Sequence, residues 1–199
     1  MKTIIVTGGI GSGKSVVCAE FEKKGAAIIS GDKIGHKCLM PNGAAYDSVV
    51  AEFGKIILNT DGTINREMLG KIAFASRESL DRLNAVTHKY ILKEIVELVD
   101  KIVGYDMIVL EIPLFRAVDI PHDVVISVIA DKELRIERVM KRGNMSREVV
   151  SRIMEMQPSD DEYRKYADFC IENNGEIDQL RVFVGEILEK ISGDRVEEV

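Results

Sequence analysis

The chain has 199 residues and a mass of 22.2 kDa, the size of one domain with a self-sufficient core. Lys and Arg total 27 against 33 for Asp and Glu, a net charge of −6, which excludes a broad basic coat for nucleic acid but leaves room for a local basic pocket. The 46% hydrophobic share excludes a disordered chain. Cys18, Cys38 and Cys170 are odd in number and form no CxxC pair, so neither a disulfide framework nor a zinc site is expected.

No segment approaches the ~18 apolar residues that span a bilayer, and Ile4-Ile5-Val6 after Lys2 is too short for an export signal. A soluble, cytoplasmic protein of monomer size is expected, with no membrane partner. Thr3 to Thr7 reads as a first strand. Gly8-Gly9-Ile10-Gly11-Ser12-Gly13-Lys14-Ser15 follows it and satisfies GxxxxGK[ST] at every position. Such a loop lets backbone N–H groups surround a polyphosphate; Lys14 supplies a point charge and Ser15 a hydroxyl ligand for magnesium. A helix opens near Gly13 and buries Val16, Val17 and Phe21, adding its positive end to the same spot.

A second strand, Ala26 to Ser30, ends at Ser30-Gly31-Asp32. A carboxylate at that carboxyl end lies across the sheet's crevice from the loop, where it accepts a hydroxyl proton or helps hold magnesium, unless it merely caps the next helix. Residues from about 33 to 105 are too many for an ordinary crossover. They form a mainly helical excursion, with turns at Pro41-Asn42-Gly43 and Asp61-Gly62 and a long helix carrying Leu80, Leu83, Ile91, Ile95, Leu98 and Ile102 on one face. Met107 to Glu111 is a third strand, and Glu111 is either a metal-organising carboxylate or a solvated strand end.

Asp123 to Ala130 is a fourth strand. Arg135, Arg138 and Arg142 then follow at helical spacing. Arginines on a closing lid stabilise charge on a moving phosphoryl group. The interspersed acids Asp131, Glu133, Glu137 and Glu148 assign Arg135 to a solvated ion-pair face, whereas Gly143-Asn144 makes a hinge directly after Arg142. Ser146 caps a helix with Val149, Val150, Ile153 and Met154. Phe169 to Glu172 is a weaker fifth strand, and a final helix buries Ile177, Leu180, Val184, Ile187 and Ile191 before a stop at Gly193 and a charged tail. Apolar runs alternating with helical segments predict an α/β P-loop NTPase fold, a five-stranded parallel sheet flanked by helices, with a helical substrate lobe and a lid. No Asn-Lys-x-Asp guanine-reading sequence follows a strand, so a small-molecule kinase suits the chain better than a GTPase.

With these residues in hand, the sequence resembles the dephospho-coenzyme A kinase family over nearly its whole length, Ile4 to about Gly175. Thr7 to Ser15 has that family's form of the loop. Asp32, with Ile34 and His36 behind it, matches the second acid of its Asp-x-Asp segment. Phe53-Gly54, Asp61 to Arg66, Leu69, Phe74, Leu83-Asn84 and His88 resemble its substrate-lobe signature. Pro113-Leu114, Arg138, Arg142, Gln157, Ala167-Asp168 and Asn173-Asn174-Gly175 match later motifs. Ser30, Lys89, Arg116-Ala117 and Arg135 depart from the pattern.

The resemblance implies transfer of the ATP γ-phosphate to the ribose 3′-hydroxyl of dephospho-CoA, with ATP and magnesium required. In it Asp32 is the general base, and Lys14 and Arg142 stabilise the phosphoryl group. Gly11, Ser12, Gly13, Lys14, Ser15, Val16, Arg138 and Asn174 bind ATP, with Asn174 near the adenine unless Asn174-Gly175 is an ordinary turn of positive φ. Arg66 and His88 face the acceptor, unless His88 is a packed histidine and Arg66 a surface ion-pair residue, and Ser15 with Glu111 serves the metal. One kinase domain, residues 1–199, would carry an acceptor lobe at about 33–105 and a lid at about 142–160. A related nucleoside or nucleotide kinase, and a nucleotide-binding sensor without turnover, remain the competing expectations.

Overall fold

Short runs of Val and Ile form the strands because their branched side chains suit a pleated surface covered on both faces. In a computed structural model, which describes residues 1–112, 120–143 and 145–193, β1 (Lys2–Thr7), β2 (Ala27–Ser30), β3 (Met107–Glu111), β4 (Val124–Ile129) and β5 (Phe169–Glu172) make one sheet in the order β2-β3-β1-β4-β5. Strand β1 runs parallel to β3 and β4, and β4 runs parallel to β5. Expectations for Pro113-Leu114, Arg116-Ala117, Asn144 and the tail 194–199 lie outside the described residues.

The chain divides into two compact units. One comprises Met1–Ile29 and the described residues of 104–115 and 121–199. It holds the sheet with α1 (Lys14–Lys23), α6 (Lys132–Arg142), α7 (Arg147–Met156), α8 (Asp160–Tyr166) and α9 (Ile177–Gly193). Its core joins Ile4, Val6, Val109, Ile126, Val128 and Ile171 of the sheet to Val17 and Phe21 of α1 and to Leu180, Val184, Ile187 and Ile191 of α9. Each such side chain contributes roughly 1.5–3 kcal/mol when fully buried.

Three expected core positions differ. Val16 is only half-buried and Val149 is 44% exposed, whereas their neighbours Val17 and Val150 are buried; adjacent helical residues point about 100° apart, so one face cannot take both. Ile177 is 46% exposed because a first-turn side chain leans back beyond the start of its helix.

The other unit is Ser30–Val103 with Ile120 of the return segment. Here α2 (Gly31–Cys38), α3 (Tyr46–Phe53) and α4 (Arg66–Ala73) pack on the long α5 (Arg77–Lys101). Ser76 and Asn65 cap α5 and α4 with side-chain oxygens, as their residue types favour. Lys37–Glu94 and Arg82–Glu52, both at 2.5 Å, tie α2 and α3 to α5. Leu80 and Ile95 are buried as the spacing predicts, and Thr87 fills the gap between Leu83 and Ile91, donating to the Leu83 carbonyl at 2.8 Å. Ile102 falls just past α5, in extended backbone. Both turn signals hold: Asn42 has φ 66 and Gly62 φ 82.

Candidate active site

The loop after β1 is shaped by what surrounds it. Gly13 begins α1 with φ 103, and a Cβ there would meet the Asn173 Nδ2 at 2.1 Å, so no other residue fits. No side chain caps α1, which leaves its positive end facing the loop. Lys14 lies across the loop, its Nζ donating to the carbonyls of Gly8 at 2.8 Å and Gly9 at 3.1 Å. The Ser15 hydroxyl donates to Glu111 Oε1 at 2.5 Å. Glu111 at the end of β3 is therefore a partner of the loop, not a solvated strand end. Ser12 turns its hydroxyl inward, buried, which leaves only its backbone facing the loop's concave side. Val16 follows in the first turns of α1, half-buried.

Arg135 corrects the sequence expectation. It is 5% exposed, not part of a solvated face. Its Nε donates to the Ile10 carbonyl at 2.9 Å, and its Nη1 contacts Asp160 Oδ1 at 3.2 Å. The Ile10 N–H donates to Gln157 Oε1 at 2.8 Å. Asn173, 5% exposed, donates through Nδ2 to the Ser12 carbonyl at 2.7 Å. Asn174 is not a left-handed turn residue, since Asn42 alone among the described non-glycine residues has positive φ. Its amide clasps Asp131 instead: Oδ1 accepts from the Asp131 N–H at 2.8 Å, and Nδ2 donates to Asp131 Oδ1 at 2.9 Å. This ties β5's end to the start of α6.

Further along α6, Arg138 is half-buried and its Nη2 reaches Asn173 Oδ1 at 3.4 Å. Its Nη1 is buried with no hydrogen-bond partner among the described residues. Burial, and then the neighbouring Arg142 charge, push the Arg138 guanidinium below its ordinary value. Arg142 is the exposed last residue of α6. The expected single face thus grades from buried to solvated along three helical steps.

In the second unit a cleft of about 230 Å³ is lined by His36, Leu39, Met40, Pro41, Thr63 and Ile64, with Arg66 at its wall. Arg66 is exposed on the first turn of α4. Asp32 is exposed in the first turn of α2, four residues before His36; the N-cap position belongs to Ser30, so Asp32 is not the cap. His88 does not line this cleft. It is half-buried on α5, and burial lowers its imidazole below the ordinary value.

A family model for dephospho-CoA kinase matches residues 2–179. A curated dephospho-CoA kinase of Carboxydothermus hydrogenoformans is 40% identical over 190 residues, covering 93% of this chain and 92% of its own. The chain belongs to the dephospho-CoA kinase family. Among solved structures, a Thermus thermophilus protein matches with a TM-score of 0.78 at 27% identity, over 95% of this chain and 97% of that one. The dephospho-CoA kinase of Campylobacter jejuni matches at 0.64 and 29%, over 98% of this chain and all (100%) of its own. The P-loop kinase architecture expected from the sequence is therefore the observed one.

Magnesium takes hard oxygen donors. Ser15 Oγ and Glu111 Oε1 are hard oxygen donors already brought together, and no cluster of three or more His, Cys, Asp or Glu able to hold a metal occurs among the described residues. That set fits an ion which keeps waters and takes its remaining ligands from phosphates. Sequence reasoning missed the roles of Arg135, Gln157 and Asn173. For Arg135 and Gln157 a signal was present in Gly9, whose missing Cβ would lie 2.0 Å from Arg135 Nη2 and 3.1 Å from Gln157 Oε1: a glycine at a variable position of the loop motif marks a close neighbour.

Proposed function

We propose that the protein transfers the γ-phosphoryl group of ATP to the ribose 3′-hydroxyl of dephospho-CoA, giving CoA and ADP. The observation that carries this is the complete loop, with Lys14 across it and Ser15 on Glu111, in a chain matched to the family over residues 2–179. Asp32 takes the hydroxyl proton as the 3′-oxygen forms its bond to the γ-phosphorus, the bond to the bridging oxygen breaks, and the electron pair leaves with ADP. Asp32 then releases the proton to water. Lys14 and Arg142 stabilise the charge spread over the moving phosphoryl oxygens, and Arg138 supports the triphosphate beside Asn173. Ser15 would hold magnesium with Glu111 as its oriented partner. When bound, the ion neutralises charge on the phosphates.

Residues of the acceptor lobe, about 33–105, would receive dephospho-CoA. The cleft walled by Arg66 offers an apolar side from Leu39, Met40, Pro41 and Ile64 beside the Arg66 guanidinium and the His36 imidazole, a fit for a molecule with an anionic pyrophosphate and an uncharged arm. His88, whose imidazole burial pushes below its ordinary value, would face the acceptor from α5, outside this cleft. A lid at about 142–160 would be held at its far end, where Gln157 and Asp160 bond to the loop and to Arg135. The soluble substrates fit a cytoplasmic enzyme acting as a monomer, which gel filtration with light scattering checks.

The test is ADP release with dephospho-CoA as the only acceptor, compared with nucleoside monophosphates. Asp32→Asn should lower turnover by roughly 10²-fold or more with ATP binding retained. Preference for a monophosphate would replace the acceptor in this reading, and ATP binding without any phosphotransfer would make the protein a nucleotide sensor.

A further inference from the structure

Ile10 sits at the crest of the phosphate loop, and both of its main-chain polar groups are held by side chains from elsewhere in the fold. Arg135 Nε donates to its carbonyl at 2.9 Å, and Gln157 Oε1 accepts from its N–H at 2.8 Å. Arg135 is in turn fixed by Asp160 on α8 at 3.2 Å. The guanidinium passes through the space that a side chain at Gly9 would need. An arginine only 5% exposed carries a desolvation cost that an apolar side chain of similar length would avoid. Packing alone therefore does not account for it. Its hydrogen bonds act on the loop's backbone, whose N–H groups must point inward before a triphosphate can seat.

We propose that Arg135 is a positioning residue for ATP: with Gln157 and the Asp160 carboxylate it clamps Ile10 and presets the phosphate loop in its nucleotide-receiving shape. This rests on the functional reading only in taking ATP as the loop's ligand. The clamp acts before any chemistry, so its loss weakens ATP binding while leaving the transfer step nearly intact once ATP is bound. It also joins the far end of the lid segment to the loop, because Gln157 follows α7 directly and Asp160 opens α8.

ATP affinity is measured by titration calorimetry without acceptor, alongside KM and kcat for ATP and thermal melting, for wild type, R135M, R135K and D160A. The expected result is a roughly tenfold rise in Kd and KM for ATP in R135M, with kcat changed less than about threefold and the acceptor KM within about twofold. R135K should recover part of the affinity, since an ammonium can reach one of the two acceptors but lacks the fork that spans both. Exchange of the Ile10 amide hydrogen should quicken in R135M by a similar factor. R135M with a native-like melt and wild-type ATP affinity would overturn the proposal.

If R135M fails to fold, D160A decides. Asp160 is half-exposed, and the Ser159–Glu162 capping box holds α8 without it. A threefold or greater loss of ATP affinity in D160A supports the clamp, and an unchanged affinity overturns it. A wild type that binds no ATP would instead defeat the functional reading itself.

Discussion

Replacing Gly9 by alanine probes the packing behind the loop with a single methyl group. The added Cβ would lie 2.0 Å from Arg135 Nη2, 2.8 Å from its Cζ and 3.1 Å from Gln157 Oε1. Gly9 does not have a left-handed backbone, so the cost is steric rather than conformational. The guanidinium must leave, and with it go its hydrogen bonds to Ile10 and Asp160. Hydrogen bonds to charged groups contribute about 1.5–3 kcal/mol each, and partial rehydration of the displaced arginine offsets part of that loss. G9A should therefore cost about 2–4 kcal/mol. R135M removes the same two bonds but also ends the burial of the guanidinium, so it should cost less than G9A, and it clears the space that the new methyl needs. The double variant G9A/R135M should then be little less stable than R135M alone, a coupling close to the G9A cost itself, about 2–4 kcal/mol, in a double-mutant cycle. Urea unfolding followed by far-UV circular dichroism and by tyrosine fluorescence, which includes the fully buried Tyr163, measures all four corners. If the two single costs add to within about 0.5 kcal/mol, the guanidinium does not occupy the space beside Gly9, and the packing described here is wrong.

Glu111→Gln should raise the magnesium concentration for half-maximal rate by about 10–100-fold, as loss of an oriented partner typically does; an unchanged magnesium titration would remove Glu111 from the metal's surroundings. Asn173→Ala strips the buried donor from the Ser12 carbonyl and should cost about 1–3 kcal/mol, read as a lowered melting temperature; a melting temperature equal to wild type counts against that bond. His88 gives a pH signature. Burial lowers its folded-state pKa below the ordinary value of 6.5, so the unfolded chain takes up a proton first as the pH falls. The stability present above pH 6.5 is lost as the pH drops through the folded value. His88→Gln should flatten that dependence in chemical unfolding at successive pH values; parallel curves for the two proteins would show that the imidazole is not buried.

Most of the framework was legible because its signals are local. Continuous runs such as Ile4-Ile5-Val6 and Ile108-Val109-Leu110 can be buried on both faces only as interior parallel strands, and each is buried in the fold. The loop motif is equally local: backbone curvature, Lys14 and Ser15 lie within a few residues. Where expectation failed at Val16 and Val149, the residue type was right and the angle around the helix was wrong; Ile177 failed because it opens its helix. Apolar counts do not register a rotation of about 100° per residue.

The larger error concerned Arg135, and its cause is the range over which partners act. Counting charges along α6 places Glu133 and Glu137 near Arg135 and argues for a solvated ion-pair face. The actual partners are Ile10, 125 positions earlier, and Asp160, 25 positions later. No window along the chain contains both. What the chain does carry locally is the shape complement: Gly9 lacks a side chain where the guanidinium runs. The motif leaves that position free, so phosphate binding alone gives no reason for glycine there. A glycine that the binding chemistry does not require is thus evidence of a neighbour, and here it outweighs the acids Glu133 and Glu137 on α6. On that footing, Arg135 belongs with Asn173 to a layer beneath the loop, where the long-range contacts set the shape that the local motif fills with chemistry.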